Sequence, residues 1–436
     1  MTETQTSNAL QPVIFPPAEH GVSRSEISRN ALKVLYRLKD AGYSAFLVGG
    51  GVRDLLLGLH PKDFDIATNA RPEEVRALFS NSRLIGRRFR LAHVRFGRDI
   101  IEVATFRGTG RQANGDAQEF NDSGRIISDN VFGSLEEDAL RRDFTVNALY
   151  YDVADDSIWD FAGGLDDLKH ATLRVIGDPS RRFTEDPVRM LRAARLAAKL
   201  NFNVYSEDAA AIPPLTGKIA DVPPARLFDE FLKIFQGGHA LAGYRLLREL
   251  GLFDYLFPVR NDLPGEVRDR DFALLEAALE NTDQRIADGK PVTPMFLFGV
   301  FLWTPVRLRS EDLIEREGMS LSQSLAMAAG ELSREQSRRI ALPRRFSFPM
   351  KEILQLQARF ANRRGRRAIG LLQHRRFRAA YDLMMLRVRV GEVEAEVGEF
   401  WTEVQTLDEK EQRKAFAMNS RRRGRSGRPR RGVSPA

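Results

Sequence analysis

Apolar positions recur at both strand and helix periods over the N-terminal half of the chain, and at helix periods alone after that. From Ser25 to Ala41, Ile27, Leu32, Leu35 and Leu38 fall near helical spacing and Gly42 closes the segment. Phe46-Leu47-Val48 is an apolar run stopped by glycine, which predicts a buried strand. Gly49, Gly50 and Gly51 follow, and Val52 to Leu57 begins a helix with Arg53 and Asp54 in its first turn. After a loop through Gly58 and Pro61, Asp63-Phe64-Asp65-Ile66 alternates acid and apolar. That predicts a second strand, with Asp63 and Asp65 on one face and Phe64 and Ile66 on the other. Arg71-Pro72-Glu73-Glu74 opens a helix through Phe79, with Pro72 near its first helical position. Leu84 to Thr105 reads as strands turning at Gly86 and Gly97, the last being Ile100-Ile101-Glu102-Val103-Ala104.

Gly108 to Asn130 is rich in Gly, Asn, Asp and Ser and predicts a mobile loop. Arg141-Arg142-Asp143 then enters an apolar segment (Phe144, Val146, Leu149) expected to be helical. Gly163-Gly164 marks a turn and helix cap, and Leu173 to Gly177 a further strand. Glu185 and Asp186 precede Pro187, a helix start. In that helix Arg189, Arg192, Arg195 and Lys199 share one face, while Met190, Leu191, Ala194, Ala197 and Ala198 share the opposite one. Ile212 to Phe257 stays helical, with turns at Pro213-Pro214, Pro223-Pro224 and Gly237-Gly238, and Glu266 to about Met418 predicts helices without strands. The pattern is that of an α+β chain. Residues 1–24, polar and without period, are expected to be disordered.

Composition narrows the setting. A chain of 436 residues exceeds one ordinary core, so about two to four domains are expected. The absence of cysteine excludes disulfides, thiolate metal sites and cysteine nucleophiles, and fits a reducing compartment. The six histidines are scattered without ligand spacing, which argues against zinc. The longest apolar run, Met295 to Trp303, is too short for a bilayer, and no signal pattern opens the chain. A cytoplasmic protein without membrane contact is expected. The net charge is +8, and its placement matters more than its size. Residues 419–436 hold seven arginines, Arg421, Arg422 and Arg423 among them, and no acid; 67 less seven leaves 60 basic residues against 59 acidic ones elsewhere. This tail is a discrete cationic appendage of the kind that binds nucleic acid electrostatically.

The glycine run and the paired carboxylates suit metal-assisted transfer from a nucleoside triphosphate. Glycine lets backbone N–H groups approach a phosphate, and a following helix start favours its charge. Asp63 and Asp65 offer hard oxygen ligands to Mg²⁺, and two such ions clamp an in-line displacement. Either motif alone would be compatible with an ordinary surface turn; here they stand 11 residues apart in strand–turn–helix–strand order. Glu102 is a candidate third carboxylate, or else a lone acid on an edge strand. Gly86-Arg87-Arg88-Phe89-Arg90 adds cations for a triphosphate or an RNA backbone. Arg141 and Arg142 are candidates for stabilising phosphate charge, with Asp143 orienting an arginine or acting near the metals; a local ion pair is the simpler alternative. The Arg189 stripe is either a solvated face or a donor array for the edge of a base.

Farther on, Ile353 to Tyr381 carries eight arginines and no acid: Arg359, Arg363, Arg364, Arg366, Arg367, Arg375, Arg376 and Arg378. Interleaved with Phe360, Phe377 and Tyr381, they form a candidate RNA-backbone surface. The acidic helix Val393 to Trp401 could instead pair with it.

LVGGGVRDLLLG, PKDFDIAT, RRDFTVNALYYD and RFTEDPVRMLRAARLAAKL together resemble the class II nucleotidyltransferases, which include CCA-adding enzymes and bacterial poly(A) polymerases. The resemblance covers Ala45 to Phe257 and implies a head with a five-stranded sheet, then helical neck, body and tail. The implied boundaries are 25–177 for the head, 178–257 for the neck, 258–418 for the body and arginine-rich region, and 419–436 for the tail. It implies that Asp63 and Asp65 bind two Mg²⁺ ions and that Gly50 or Gly51 and Arg53 contact the triphosphate. It further implies that Arg141, Arg142 and Asp143 belong to the catalytic site, and that Asp186, Arg189, Arg192 and Arg195 select the nucleotide.

Leu84 to Val94, Val222 to Phe228 and the arginine-rich region from Arg344 resemble the bacterial poly(A) polymerases in particular. The expected activity is addition of AMP from ATP to RNA 3′ ends by a monomer, with RNA-degradation or RNA-chaperone proteins as partners. CCA addition is the alternative. Two other classes are a non-catalytic RNA-binding adaptor on a transferase-like head and a transferase acting on a small molecule or protein. Intact Asp63, Asp65 and Arg53 argue against the first, and the arginine-rich C-terminal half against the second.

Overall fold

The computed structural model describes residues 11–86, 90–108, 119–120, 126–128 and 131–418. The chain divides into two units. The first runs to Asp221 and includes Glu249–Leu252, and the second comprises Val222–Arg248 and Phe253 onward. Within the first unit the parallel pairing of Thr172–Leu173 with Asn203–Val204 and the ion pair of Arg192 with Asp143 tie the residues after 177 to those before it.

The first unit is built on strands β1 (Val13–Phe15), β2 (Ala45–Val48), β3 (Asp65–Thr68), β4 (Ser82–Ile85), β5 (Leu91–Phe96) and β6 (Asp99–Thr105), with β7 (Glu119–Phe120), β8 (Ile126–Ser128), β9 (Leu149–Tyr151), β10 (Ile158–Asp160), β11 (Thr172–Leu173) and β12 (Asn203–Val204) following in the chain. Among the described residues eight of them form one sheet in the order β1-β10-β9-β2-β3-β6-β5-β4. Five strands were expected. The hairpin β9–β10 extends the sheet beyond β2, and β1 comes from an arm expected to be disordered. That arm is anchored farther on: Arg24 Nε donates to Asp156 at 3.0 Å and Nη2 to the Val153 carbonyl at 2.9 Å.

The β3–β6 pair is parallel, while the other six neighbouring pairs of this sheet run antiparallel, so a crossover is required; Pro72–Leu78 and the β4–β5 hairpin supply it. All four residues of β2 are buried, as befits a strand covered on both faces. The strand after the glycines begins at Asp65, not Asp63, so the two carboxylates are not strand neighbours two apart. The expected helix after Asp143 is a 3₁₀ turn, Thr145–Asn147, followed by β9, whose three residues are all buried in the sheet. The strand expected over Leu173 to Gly177 is reduced to β11, paired in parallel with β12, plus an isolated bridge between Phe144 and Val175. The expected loop at Gly108 to Asn130 and the cations Arg87 and Arg88 lie largely outside the described residues, as do Arg421, Arg422 and Arg423.

The second unit is helical among its described residues. Phe231, Phe257, Phe298 and Phe301 form its centre, with ring centroids 4.3 Å apart for Phe231–Phe298 and 4.6 Å for Phe257–Phe301. Phe360, Phe377 and Tyr381 are buried rather than presented to RNA. Phe360 and Phe377 pack against Trp401, whose indole N–H donates to the Phe360 carbonyl at 2.9 Å, and Tyr381 stacks on Phe377. No described helix is long and apolar enough to cross a membrane.

Candidate active site in the first unit

The site forms where β2 ends and β3 begins. Gly49 caps the helix Gly50–Leu56 with φ 72° and ψ −140°, a conformation open mainly to glycine. A Cβ at Gly49 would stand 3.4 Å from Arg142 Nη1 and 3.9 Å from Asp65 Oδ2, and one at Gly51 would stand 3.3 Å from the Asp63 carbonyl. Two of the three glycines therefore allow backbone and catalytic candidates to meet. The sequence reading named Gly49 in the glycine run but gave the triphosphate contact to Gly50 or Gly51 alone.

Parallel pairing sets Asp65 directly beside Glu102. Strand β6 lies between β3 and β5, so Glu102 is not on an edge. On its other side His93 Nε2 is 3.0 Å from Glu102 Oε1. Burial pushes the Asp65 carboxyl up to about 6, with Glu102 and Asp63 adding to the rise and Arg142 opposing it. Among the described residues no cluster of three or more His, Asp or Glu is close enough to hold a metal alone. The donor set nevertheless fits a divalent cation, with hard carboxylate oxygens and like charge crowded between Asp65, Glu102 and Asp63.

Arg142 is held against this centre by partners that the sequence pattern did not mark. Its Nε donates to the Tyr150 hydroxyl at 2.8 Å and its Nη2 to Asp138 at 3.1 Å, while the Tyr150 hydroxyl donates to Asp138 at 2.6 Å. Burial opposes the Arg142 charge, but Tyr150 and Asp138 outweigh it and hold the guanidinium more basic than usual. Arg182 braces the same segment, donating to the Arg141 and Arg142 carbonyls at 2.7 and 2.5 Å. Arg141 itself donates to the Gly108 carbonyl.

Asp143 faces the other way. It accepts from the Phe144 N–H at 2.9 Å and the Asn147 amide at 3.2 Å, and it lies 2.5 Å from Arg192. Burial would raise its pKa; Arg192, Asn147 and Arg189 outweigh burial and hold it below the usual carboxylate range. Arg53 is 4% exposed, and its guanidinium is spent inside the protein, on Asp54 at 2.5 and 2.8 Å and on Asn147 at 2.6 Å. The basic stripe of the helix Val188–Leu200 is partly paired within the protein: Arg192 to Asp143, Lys199 to Asp54 at 3.3 Å, and Arg189 to the Arg182 carbonyl at 2.8 Å. Burial and then Arg182 push the Arg189 guanidinium down to about 10. Asp186 stands in extended backbone just before this helix, and Arg195 lies within it, half-buried.

Residues 45–174 match the family described as the poly A polymerase head domain. Residues 317–434 match the polymerase A arginine-rich C-terminus, and 201–263 a family described as "Probable RNA and SrmB- binding site of polymerase A". The chain is 49% identical over 383 residues to Poly(A) polymerase I of Escherichia coli O157:H7, covering 87% of this chain and 82% of that one. It is 43% identical over 414 residues to Poly(A) polymerase I of Haemophilus influenzae, covering 94% and 91%.

The chain belongs to the poly(A) polymerase I family.

Similarity to a CC-adding tRNA nucleotidyltransferase of Halalkalibacterium halodurans is 36% over 231 residues, 53% of this chain and 55% of that one. Among solved structures, the Bacillus stearothermophilus CCA-adding enzyme in complex with CTP superposes with a TM-score of 0.53 at 25% identity, covering 86% of this chain and 82% of that one. The Thermotoga maritima CCA-adding enzyme complexed with tRNA gives 0.60 at 19% identity, covering 91% and 87%, and shows the shared α+β fold. In this poly(A) polymerase family member the head joins Asp65, Glu102 and Arg142 into one centre. Asp143, Asn147 and Arg53 form a second, adjoining network.

Proposed function

We propose that this protein adds AMP from ATP to RNA 3′ ends without a template and releases pyrophosphate. The observation that carries this reading is the extent of the likeness. The match to Poly(A) polymerase I runs through 82–91% of the relatives' length, whereas the match to the CC-adding enzyme spans 55% of that protein.

In the reaction the RNA 3′-hydroxyl oxygen bonds to the α-phosphorus of ATP and gives up its proton to solvent, while the bond from the α-phosphorus to the oxygen bridging to the β-phosphorus breaks and pyrophosphate leaves. Asp65 and Asp63, with Glu102 as the third acid, would hold two Mg²⁺ ions, which supply Lewis-acid stabilisation of the attacking and leaving oxygens. Arg142, kept charged by Asp138 and Tyr150, opposes negative charge on the phosphates. Gly50 and Gly51, at the start of the glycine-led helix, would offer backbone N–H groups to the triphosphate, with Arg141 as a further cation for its charge. Asp143 and Arg53 act as positioning residues that hold Arg192 and the glycine-led helix. Asp186, Arg189 and Arg195 face the choice of base.

The arginines Arg363, Arg364, Arg366, Arg367, Arg375, Arg376 and Arg378, with Arg421, Arg422 and Arg423 in the tail, hold the RNA electrostatically. A monomer in the cytoplasm, meeting RNA-degradation or RNA-chaperone proteins, completes the reading; the match over residues 201–263 supports an RNA-handling partner.

The test is incubation of the purified protein with a labelled generic RNA, Mg²⁺ and each NTP in turn. A ladder that keeps growing with ATP alone, and vanishes in Asp65→Ala, is the expected result. Extension that needs CTP, ends after a few additions and requires a tRNA-like end would replace it with CCA addition. Tight RNA binding with no extension by any NTP would replace it with a binding protein.

A further inference from the structure

The helical unit contains a cleft of about 700 Å³. The last turns of the helix Gly265–Ala287 contribute Arg285 to it, and the first turn of Pro294–Glu317 contributes Met295 and Phe296. The helix Phe377–Arg389 contributes Arg378, Ala379, Asp382, Met385, Leu386 and Arg389. Those six positions are one or three residues apart and form a single helical stripe. Met295, Phe296, Ala379, Met385 and Leu386 make the floor apolar, while Arg285, Arg375, Arg376, Arg378 and Arg389 surround it with cations.

The positive charge is only partly compensated. Glu352 accepts from Arg375 at 2.7 Å and from Arg376 at 3.2 Å. Asp382 lies 3.0 Å from Arg378, and Glu280 lies 2.8 Å from Arg389. Arg285 donates to the Pro291 carbonyl at 3.3 Å. Five guanidiniums thus stand against three carboxylates.

An apolar floor beneath a cationic rim fits a ligand with a flat apolar face and anions on either side. A nucleotide within single-stranded RNA has that form: the base covers the floor and the flanking phosphates reach the rim. Thioether side chains adapt to flat surfaces of varied outline, so such a floor tolerates any base. A run of acidic residues such as polyglutamate would satisfy the rim but has no flat group to fill the floor.

We propose that this cleft binds one nucleotide of a single-stranded RNA, with its base on Phe296 and Met385 and its flanking phosphates on Arg285, Arg389 and the Arg375–Arg378 segment. This rests on the reading above that the protein handles RNA, and it divides the arginine-rich run. Arg375, Arg376 and Arg378 belong to the cleft; Arg363, Arg364, Arg366 and Arg367 do not line it. It also adds Arg285 and Arg389, which lie outside that run.

The experiment measures binding of a fluorescent oligoadenylate to the full-length protein by anisotropy across a salt series. Ala379→Trp fills the floor. Arg285→Ala with Arg389→Ala strips rim charge, and Arg334→Ala with Arg338→Ala, at exposed positions of the helix Leu321–Arg339, is a charge-matched control away from the cleft. Ala379→Trp is expected to weaken binding about tenfold or more, the scale of one lost stacking contact. The Arg285/Arg389 pair is expected to lower the logarithmic salt slope by about 1.4, two phosphates at roughly 0.7 each, and to weaken binding more than the control.

Wild-type affinity in both cleft variants overturns the proposal, as does an equal loss in the control. Displacement of the RNA by free AMP would assign the cleft to a mononucleotide and overturns it too. Loss of polyglutamate binding with RNA binding intact would assign it to an acidic partner, with the same consequence. A wild-type protein that binds no RNA overturns the parent reading as well; RNA binding that survives both cleft variants overturns this one alone.

Discussion

Arg53 donates through Nη1 to Asn147 Oδ1 at 2.6 Å, and the same Asn147 donates its amide to Asp143 at 3.2 Å. One side chain thereby connects the glycine-led helix to the carboxylate that holds Arg192. Asn147→Ala removes both bonds and leaves a buried guanidinium nitrogen without its acceptor. The expected cost is about 1–3 kcal/mol in stability, with a fall of roughly tenfold in kcat/KM, about 1.4 kcal/mol of transition-state stabilisation. Asn147→Asp keeps the acceptor for Arg53 but sets a second negative charge against Asp143. Thermal melts and steady-state extension assays on the two variants separate loss of the Arg53 bond from disruption of Asp143.

Asp65→Asn preserves shape while removing one carboxylate from the centre shared with Glu102. Activity should fall by two to three orders of magnitude or so, about the scale of a lost charge-stabilising group. A cation that binds only the folded state raises the melting temperature. Mg²⁺ should therefore raise that of the wild type and raise it less in Asp65→Asn. An equal Mg²⁺ shift in both proteins would remove Asp65 from the cation site.

Asp208 gives a pH signature independent of catalysis. It accepts from the Val175 N–H at 2.6 Å, and burial raises its carboxyl to about 6. A carboxyl whose folded pKa lies above its unfolded value binds more protons when folded between the two. Its contribution is thus most favourable at low pH and is lost as pH rises from about 4 through about 6. Asp208→Asn keeps an acceptor for Val175 without that loss. Denaturant titrations from acid to neutral pH should show the variant gaining stability relative to the wild type as pH rises from about 4 through about 6.

In the helical unit Arg260 and Asp271 form an ion pair, 4% and 2% exposed. Burial pushes the Arg260 guanidinium down to about 10. Asp271→Ala strands the arginine and should cost about 3–5 kcal/mol by chemical denaturation. Arg260→Met combined with Asp271→Leu should recover part of that loss, because no buried charge remains. Recovery stays incomplete, since the Phe301 carbonyl loses the Arg260 Nη1 donor at 2.5 Å.

The strand, glycine run, helix and acidic segment around Gly49 and Asp65 were legible in the chain because each depends on neighbours a few residues away. So were the break at Asp186-Pro187 and the helical C-terminal half. Tertiary structure decided the rest. Glu102 becomes the neighbour of Asp65 only through parallel pairing of β3 with β6. Arg53 meets Asn147 across 94 positions of sequence. Local pattern carries no register over such distances, because pairing is chosen by which faces the whole sheet buries.

The same limit explains the misreadings. Val13-Ile14-Phe15 is a short apolar run inside a mostly polar arm without period, and it becomes a strand only because β10 offers it an edge. Phe360, Phe377 and Tyr381 look like a stacking surface until Phe360 and Phe377 pack against Trp401 and Tyr381 stacks on Phe377. Periodicity shows that a face is apolar, but only the folded chain decides what lies against it.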